Sequence, residues 1–270
     1  MRSVRLHGAG DLRWRDEPAP LVGESETLVR VTDVGVCGSD LHWFAEGGIG
    51  DARLTRPVVP GHEIAGVVEE GPLAGTPVAV DPAIPCGACP SCLRGNRNLC
   101  PQVGFAGHGT IDGGLREIMA WPTHLLHPLP PALATTDGAV LEPLGVAIHA
   151  LDLGHLRPAC TIAVVGCGPI GLLLLQAALA SGATAALAVD PLAHRREERS
   201  VAGRPWRSLL RRWPPGRGAR RSTSRSRWPA TTPPSSRQWP WCGRVGVSCS
   251  SASPATTAPP SRHRWRAGRV

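Results

Sequence analysis

The sequence contains no lysine and no tyrosine, and only two phenylalanines in 270 residues. All 29 basic residues are therefore arginine, while tryptophan occurs nine times. Lysine, tyrosine and phenylalanine use AT-rich codons and tryptophan a GC-rich one, so a GC-rich gene accounts for the bias and no folding demand is needed. The opening MRSVRLHGAGDLRWRDE has no apolar centre, so nothing there resembles a secretory signal. The most apolar run, Ile170 to Ala180, is too short to span a bilayer. The expectation is a cytoplasmic protein with no membrane partner. In that compartment the nine cysteines point to metal ligands or free thiols rather than disulfides.

Charge divides the chain. Residues 1–194 carry 11 arginines against 19 acidic residues, a net of −8, whereas residues 195–270 carry 18 arginines against Glu197 and Glu198 alone, a net of +16. A uniformly basic protein is excluded. From residue 195 onward there is no Ile, Phe, Asp, Asn or Tyr, while ten Pro, twelve Ser and six Trp fill the segment beside arginine. Such a composition buries too little apolar surface to offset its ordering entropy, so disorder is expected.

The first 145 or so residues read as short strands broken by Gly and Pro, with alternation in Thr27–Val31 and in Ile64–Glu69. Many short strands with turn signals predict an all-β, barrel-like module. From Thr136 to Leu153 the spacing becomes helical, with Thr136 or Asp137 as cap. TIAVVGCGPIGLLLLQAALASGATAALAVD then reads as strand, glycine turn, helix and strand, a βαβ unit.

Three constellations carry chemistry. Cys86, Cys89, Cys92 and Cys100 form C-x2-C-x2-C-x7-C, a spacing that lets four thiolates surround one zinc ion; iron–sulfur ligation is the competing reading. A shell of four cysteines has no open position, so this site would hold a loop and not react. Upstream, Cys37 and His62 with one carboxylate would give three ligands and leave a fourth position open, as a catalytic zinc requires. Glu63 is one candidate for the carboxylate, although a regular strand would turn it away from His62. Glu142, in LEPL, is the other, directly or through a water. Third, Gly166-Cys167-Gly168-Pro169-Ile170-Gly171 is G-x-G-x-x-G after a strand and before a helix, with Asp190 ending the next strand. Its glycines admit a pyrophosphate at the helix N-terminus, and an acid at Asp190 favours NAD over NADP. Arg195, five residues on, argues the other way.

In this order CGSDLH, GHEIAGVV, the four-cysteine lobe, LEPLGVAIHAL and VVGCGPIG resemble the zinc-dependent medium-chain dehydrogenase/reductase superfamily, the zinc-containing alcohol dehydrogenases. The Glu after His62 and the EPL segment resemble the polyol (sorbitol-like) and threonine dehydrogenase branch more than the liver-type alcohol dehydrogenases. The resemblance runs from about residue 1 to 196. It implies an α/β protein with an all-β part. A GroES-like catalytic domain would occupy 1–145, the first part of a Rossmann NAD-binding domain 146–196, and a disordered tail 197–270. It further implies a cleft between the domains for NAD and a small alcohol or polyol, and homo-oligomers among intact relatives. Zinc on Cys37, His62 and Glu63, with Glu142 as alternate, would activate the substrate hydroxyl for hydride transfer to NAD, while Ser39 and His42 relay the proton. Because the match stops near Glu197, the remainder reads as an out-of-frame translation. Read two bases later, permitted codons across Trp241 to Pro254 give MVRPGGRVVLVGIP, a strand-like sequence. The alternatives are a basic arm binding nucleic acid, as in the Arg/Ser run at residues 220–227, and an inactive zinc-binding remnant.

Overall fold

The computed structural model describes residues 1–190, Leu192, Arg195 and the backbone of residues 247–250. The chain divides into two compact units, Met1–Gly145 and Val146–Val270.

The first unit opens with a hairpin of β1 (Arg2–Gly8) and β2 (Asp11–Asp16). There follow β3 (Glu26–Gly35), α1 (Gly38–Glu46) and the short pair β4 (Gly48–Ile49) and β5 (Ala52–Arg53). Then come β6 (Glu63–Val68), β7 (Pro77–Val80), β8 (Ala83–Ile84), α2 (Pro90–Leu93), β9 (Gly104–Phe105), β10 (Ile118–Pro122) and β11 (Leu126–Pro128). Five of these strands make one antiparallel sheet in the order β10-β3-β6-β7-β11. The alternation expected from the sequence sets its faces: Val29 is buried while its neighbour Arg30 is exposed. Val29, Ile64, Val68, Val78, Met119 and Trp121 fill one core. Residues predicted to form a barrel-like β module thus form a strongly antiparallel half-barrel sheet. Between Val31 and Asp33 the register with β6 shifts by a residue, and beyond this bulge Gly35 stands opposite Glu63.

The single helix expected over 136–153 is two helices, α3 (Thr135–Ala139) and α4 (Leu141–Leu153). Pro143 has no N–H to return to the carbonyl of residue 139, so a continuous helix breaks there and restarts. Neither Thr136 nor Asp137 is the cap: both lie inside α3, whose N-cap is Ala134, and Asp137 reaches back to accept the Ala134 N–H at 2.8 Å.

In the second unit β12 (Thr161–Val165), α5 (Pro169–Ala180) and β13 (Ala185–Val189) form the expected βαβ unit, with β12 and β13 parallel. Ala147, Leu151, Ile162, Val164, Leu174, Leu175 and Ala178 make its core. A further strand, β14 (Val247–Ser250), pairs antiparallel with the other edge of β12. The disordered tail expected from the sequence otherwise lies outside the described residues. Among the described residues no helix is long and apolar enough to cross a membrane.

Candidate metal centres and glycine turn

Cys86, Cys89, Cys92 and Cys100 converge on one point, with ligand atoms all within 4.8 Å of one another. The loop wraps tightly because Gly87 takes a positive φ of 73° and Pro90 opens α2 one residue after Cys89. Cys89 Sγ lies 3.5 Å and Cys86 Sγ 4.0 Å from Cys92 Sγ. A tetrahedral zinc with bonds near 2.3 Å would set sulfurs about 3.8 Å apart, so the spacing fits zinc and is far too long for disulfides. Backbone N–H groups already solvate the sulfurs: Cys89 donates to Cys86 Sγ at 3.4 Å and Cys86 to Cys100 Sγ at 3.4 Å. Those from Ala88 and Cys89 hold the Cys86 thiol down at about 6.

The second set is Cys37, His62 and Glu63, again within 4.8 Å of one another. Cys37 caps α1, and His62 ends the turn before β6. Gly61, at φ 94°, lets the chain turn there, so His62 is not part of the strand and the alternation rule does not separate it from Glu63. Gly35 leaves the space for the carboxylate: a Cβ there would run into Glu63 Oε2. The set unites one sulfur, one nitrogen and one oxygen in a half-buried pocket, a combination suited to zinc with an open position. Glu142 is outside the set but close enough for its charge to act on His62. Burial raises the carboxyls of both Glu63 and Glu142 above their ordinary value.

Asp40, which the sequence reading passed over, pins the site together. One carboxylate oxygen accepts the Cys37 N–H at 2.9 Å; the other accepts the Gly61 N–H at 3.2 Å and faces His62 Nδ1 at 3.6 Å. A carboxylate behind a ligating imidazole fixes its orientation and tautomer. Burial disfavours the His62 cation, but Asp40 and Cys37 outweigh it and raise His62 to about 10. His62 in turn lowers the Cys37 thiol. His108, also unforeseen, lies behind His62 with ring centroids 5.1 Å apart, and burial holds it down at about 4. Ser39 is buried with its Oγ unpartnered, while His42, on the same helix, stands 2.8 Å from Glu46 at the surface.

In the second unit Gly166 has φ 105°, and a Cβ on Gly171 would strike the Gly166 carbonyl. Both positions therefore require glycine. Gly168 caps α5, with Pro169 and Ile170 in its first turn. Asp190 is buried against this turn: Oδ2 accepts the Cys167 N–H at 2.8 Å and Oδ1 the Leu192 N–H at 2.8 Å. Arg195 Nη1 lies 3.9 Å from Asp190 Oδ2, so the two residues with opposite implications for the nucleotide are neighbours.

Residues 23–131 match the alcohol dehydrogenase GroES-like domain. A probable D-xylulose reductase A of Arthroderma otae is 40% identical over 195 residues, covering 70% of this chain and 55% of that protein. Sorbitol dehydrogenase of Bacillus subtilis is 34% identical over 196 residues, covering 70% and 56%. A zinc-binding dehydrogenase from Sinorhizobium meliloti bound to NADP superposes with a TM-score of 0.67 at 34% identity, over 74% of this chain and 58% of that one. A protein described as a short chain alcohol dehydrogenase from Escherichia coli, complexed with NADH, gives 0.70 at 29%, over 76% and 61%. The chain spans about half the length of the curated relatives it matches. Over that matched part, by motif order, domain match and fold together, the chain belongs to the zinc-dependent medium-chain dehydrogenase/reductase family, in its sorbitol dehydrogenase-like branch.

Proposed function

We propose that the chain serves zinc-dependent hydride transfer between a secondary alcohol or polyol and NAD. The observation that carries this reading is the meeting of Cys37, His62 and Glu63, a three-ligand set of mixed donors, inside a GroES-like domain. Zinc held by these residues would supply Lewis acidity toward a substrate hydroxyl, and a bound nicotinamide a hydride acceptor. Glu63 is the carboxylate ligand in this reading, and Glu142 a neighbouring carboxyl for the substrate side. Asp40 keeps the His62 ring turned to the set. Ser39 would accept the substrate's hydroxyl proton as it gives up its own, and His42, beside Glu46 at the surface, would pass that proton on to water. The four-thiol lobe has a structural role.

Gly166, Gly168, Pro169, Ile170 and Gly171 would receive the pyrophosphate at the start of α5. Asp190, a carboxylate at the end of β13 beside the glycine turn, would accept ribose hydroxyls, which favours NAD. The NADP-bound relative and Arg195 support the phosphorylated cofactor as the second choice. The relatives' names support a polyol substrate.

The test is NADH formation by the zinc-loaded full chain offered sorbitol, threonine or a simple secondary alcohol. Turnover that falls at least about a hundredfold in Cys37→Ser supports the reading. Two firmly held zinc ions with no turnover on any alcohol would instead support an inactive zinc-binding remnant.

A further inference from the structure

His108 has no part in the chemistry above, yet it completes a second set of donors behind His62. Asp40, His62 and His108 bring a carboxylate oxygen and two ring nitrogens to within 4.8 Å of one another. Asp40 and His62 are buried, at 8% and 3% exposure. His62 Nδ1 and His108 Nε2 are both shielded from water; His108 Nε2 has no hydrogen-bond partner, and His62 Nδ1 has only Asp40 Oδ1 before it, at 3.6 Å. A buried ring nitrogen left unsatisfied is disfavoured, so His108 calls for a group between itself and the Asp40–His62 pair. Phe105 packs at 5.4 Å from His62 and 5.0 Å from His108, and Trp43 at 5.8 Å from His108, which holds both rings in place. Asp40 spends one bond on the Cys37 N–H and one on the Gly61 N–H. A carboxylate has about four acceptor positions, so it retains capacity to bind a cation.

We infer that Asp40, His62 and His108 form a second site for a borderline divalent cation, one that competes with the Cys37–His62–Glu63 set for His62. Two imidazoles and a carboxylate suit cobalt, nickel or ferrous iron, whereas the thiolate-bearing set leans toward zinc. The competition follows from the imidazole itself. A neutral ring has one nitrogen lone pair. Nδ1 faces Asp40, which leaves Nε2 for Cys37 and Glu63; a metal on Nδ1 places the proton on Nε2 and withdraws His62 from the other set. Cations that prefer nitrogen and oxygen would then displace the metal from beside Cys37. The inference rests on donor geometry and not on the dehydrogenase reading, so each can fail without the other.

The experiment loads the full-length apo chain with cobalt(II) alone, removes free metal and counts bound equivalents. The thiolate-to-cobalt absorption reports the four-cysteine lobe in every variant and shows that it remains folded. Wild type is expected to hold two equivalents at any cobalt excess, one in the lobe and one shared between the two sets. Cys37→Ser is expected to keep two, with the absorption of the lobe alone. Cys37→Ser combined with His108→Ala is expected to keep one, and with His108→Phe, which retains the ring but not the nitrogen, also one. A single equivalent in Cys37→Ser would show that the gap holds only water, and overturn the site. Two in both double variants would overturn it as well. A third equivalent in wild type would overturn the sharing of His62.

Discussion

The first unit secures its loops with polar side chains and thiols placed across its strands; the second relies on apolar burial between its helices and its sheet. In the first, Asp40 ties α1 to the turn before β6, and four cysteines converge at the edge of the unit. Arg5 forks between Glu17 and Asp112, joining the first hairpin to the loop after β9. The second has α5, apolar almost all round, over a sheet of three described strands. No described strand covers the outer edge of β13, and Leu153 and Val165 are more than half exposed. Open edges and apolar exposure are where association begins. The comparison teaches that the two units respond to different insults: the first to loss of metal or charge, the second to loss of packing.

Metal removal should separate them most widely. Structural zinc sites contribute on the order of 10 kcal/mol of binding energy that is also folding energy. Cys100→Ser removes the buried thiol of the lobe and is expected to lose one zinc equivalent and expose residues 86–100 to protease. Hydrogen exchange in α5 should not change. If α5 loses protection as well, the two units do not respond independently.

Packing is the converse probe. Leu174 is fully buried in the second core, and Leu174→Ala is expected to cost about 3 kcal/mol. The loss should appear as faster exchange across β12, α5 and β13, with the zinc content unchanged. Equal loss of protection in β3 and β6 would break the comparison from the other side.

How much of this was legible in the sequence follows from how local each feature is. The four-cysteine lobe and the glycine turn are continuous in the chain, and spacing alone located both. The division of the helix at Pro143 was available to the same reading but was masked by apolar spacing that continues through it. Glu63 was harder. Alternation argues against it, and what overrides alternation is the turn at Gly61, the bulge in β3 and the vacancy at Gly35, 28 positions away. Asp40 stood inside the CGSDLH motif, but its use depends on Gly61 and His62 folding back onto α1. His108 had no signal in the sequence at all, because only the loop after β9 brings it behind His62.

The Gly35 vacancy gives a third, smaller effect within the first unit. Gly35→Ala places a methyl group where the Glu63 carboxylate runs. The sheet should absorb the change, since the two strands meet at their ends. The metal beside Cys37 is expected to bind about tenfold more weakly or worse, as is usual when a ligand's support is disturbed. Chelator competition measures this, with the four-cysteine equivalent as internal standard. An unchanged affinity would mean that Glu142 and not Glu63 supplies the carboxylate.

The smallest effect is expected at Asp112, where charge alone is altered. Its oxygens accept from Arg5 Nη1 at 3.0 Å, Arg5 Nη2 at 2.8 Å and the Val59 N–H at 3.0 Å. Burial opposes its ionisation, but Arg5 and the Val59 N–H outweigh this and hold the carboxyl below its ordinary 3.8. Because the folded value is the lower one, the ionised group stabilises the fold above about pH 4, and this contribution is lost as pH falls through the folded value. Asp112→Asn keeps the shape and an acceptor for Val59 but sets an amide against the guanidinium. At this partly exposed site the expected loss is about 1 kcal/mol at pH 7, between the surface and buried limits for an ion pair. Urea midpoints for the two proteins should differ equally at pH 7 and pH 5 and converge below pH 4. A difference that persists undiminished into acid would assign the effect to packing, and the first unit would then resemble the second more closely than its ion pairs imply.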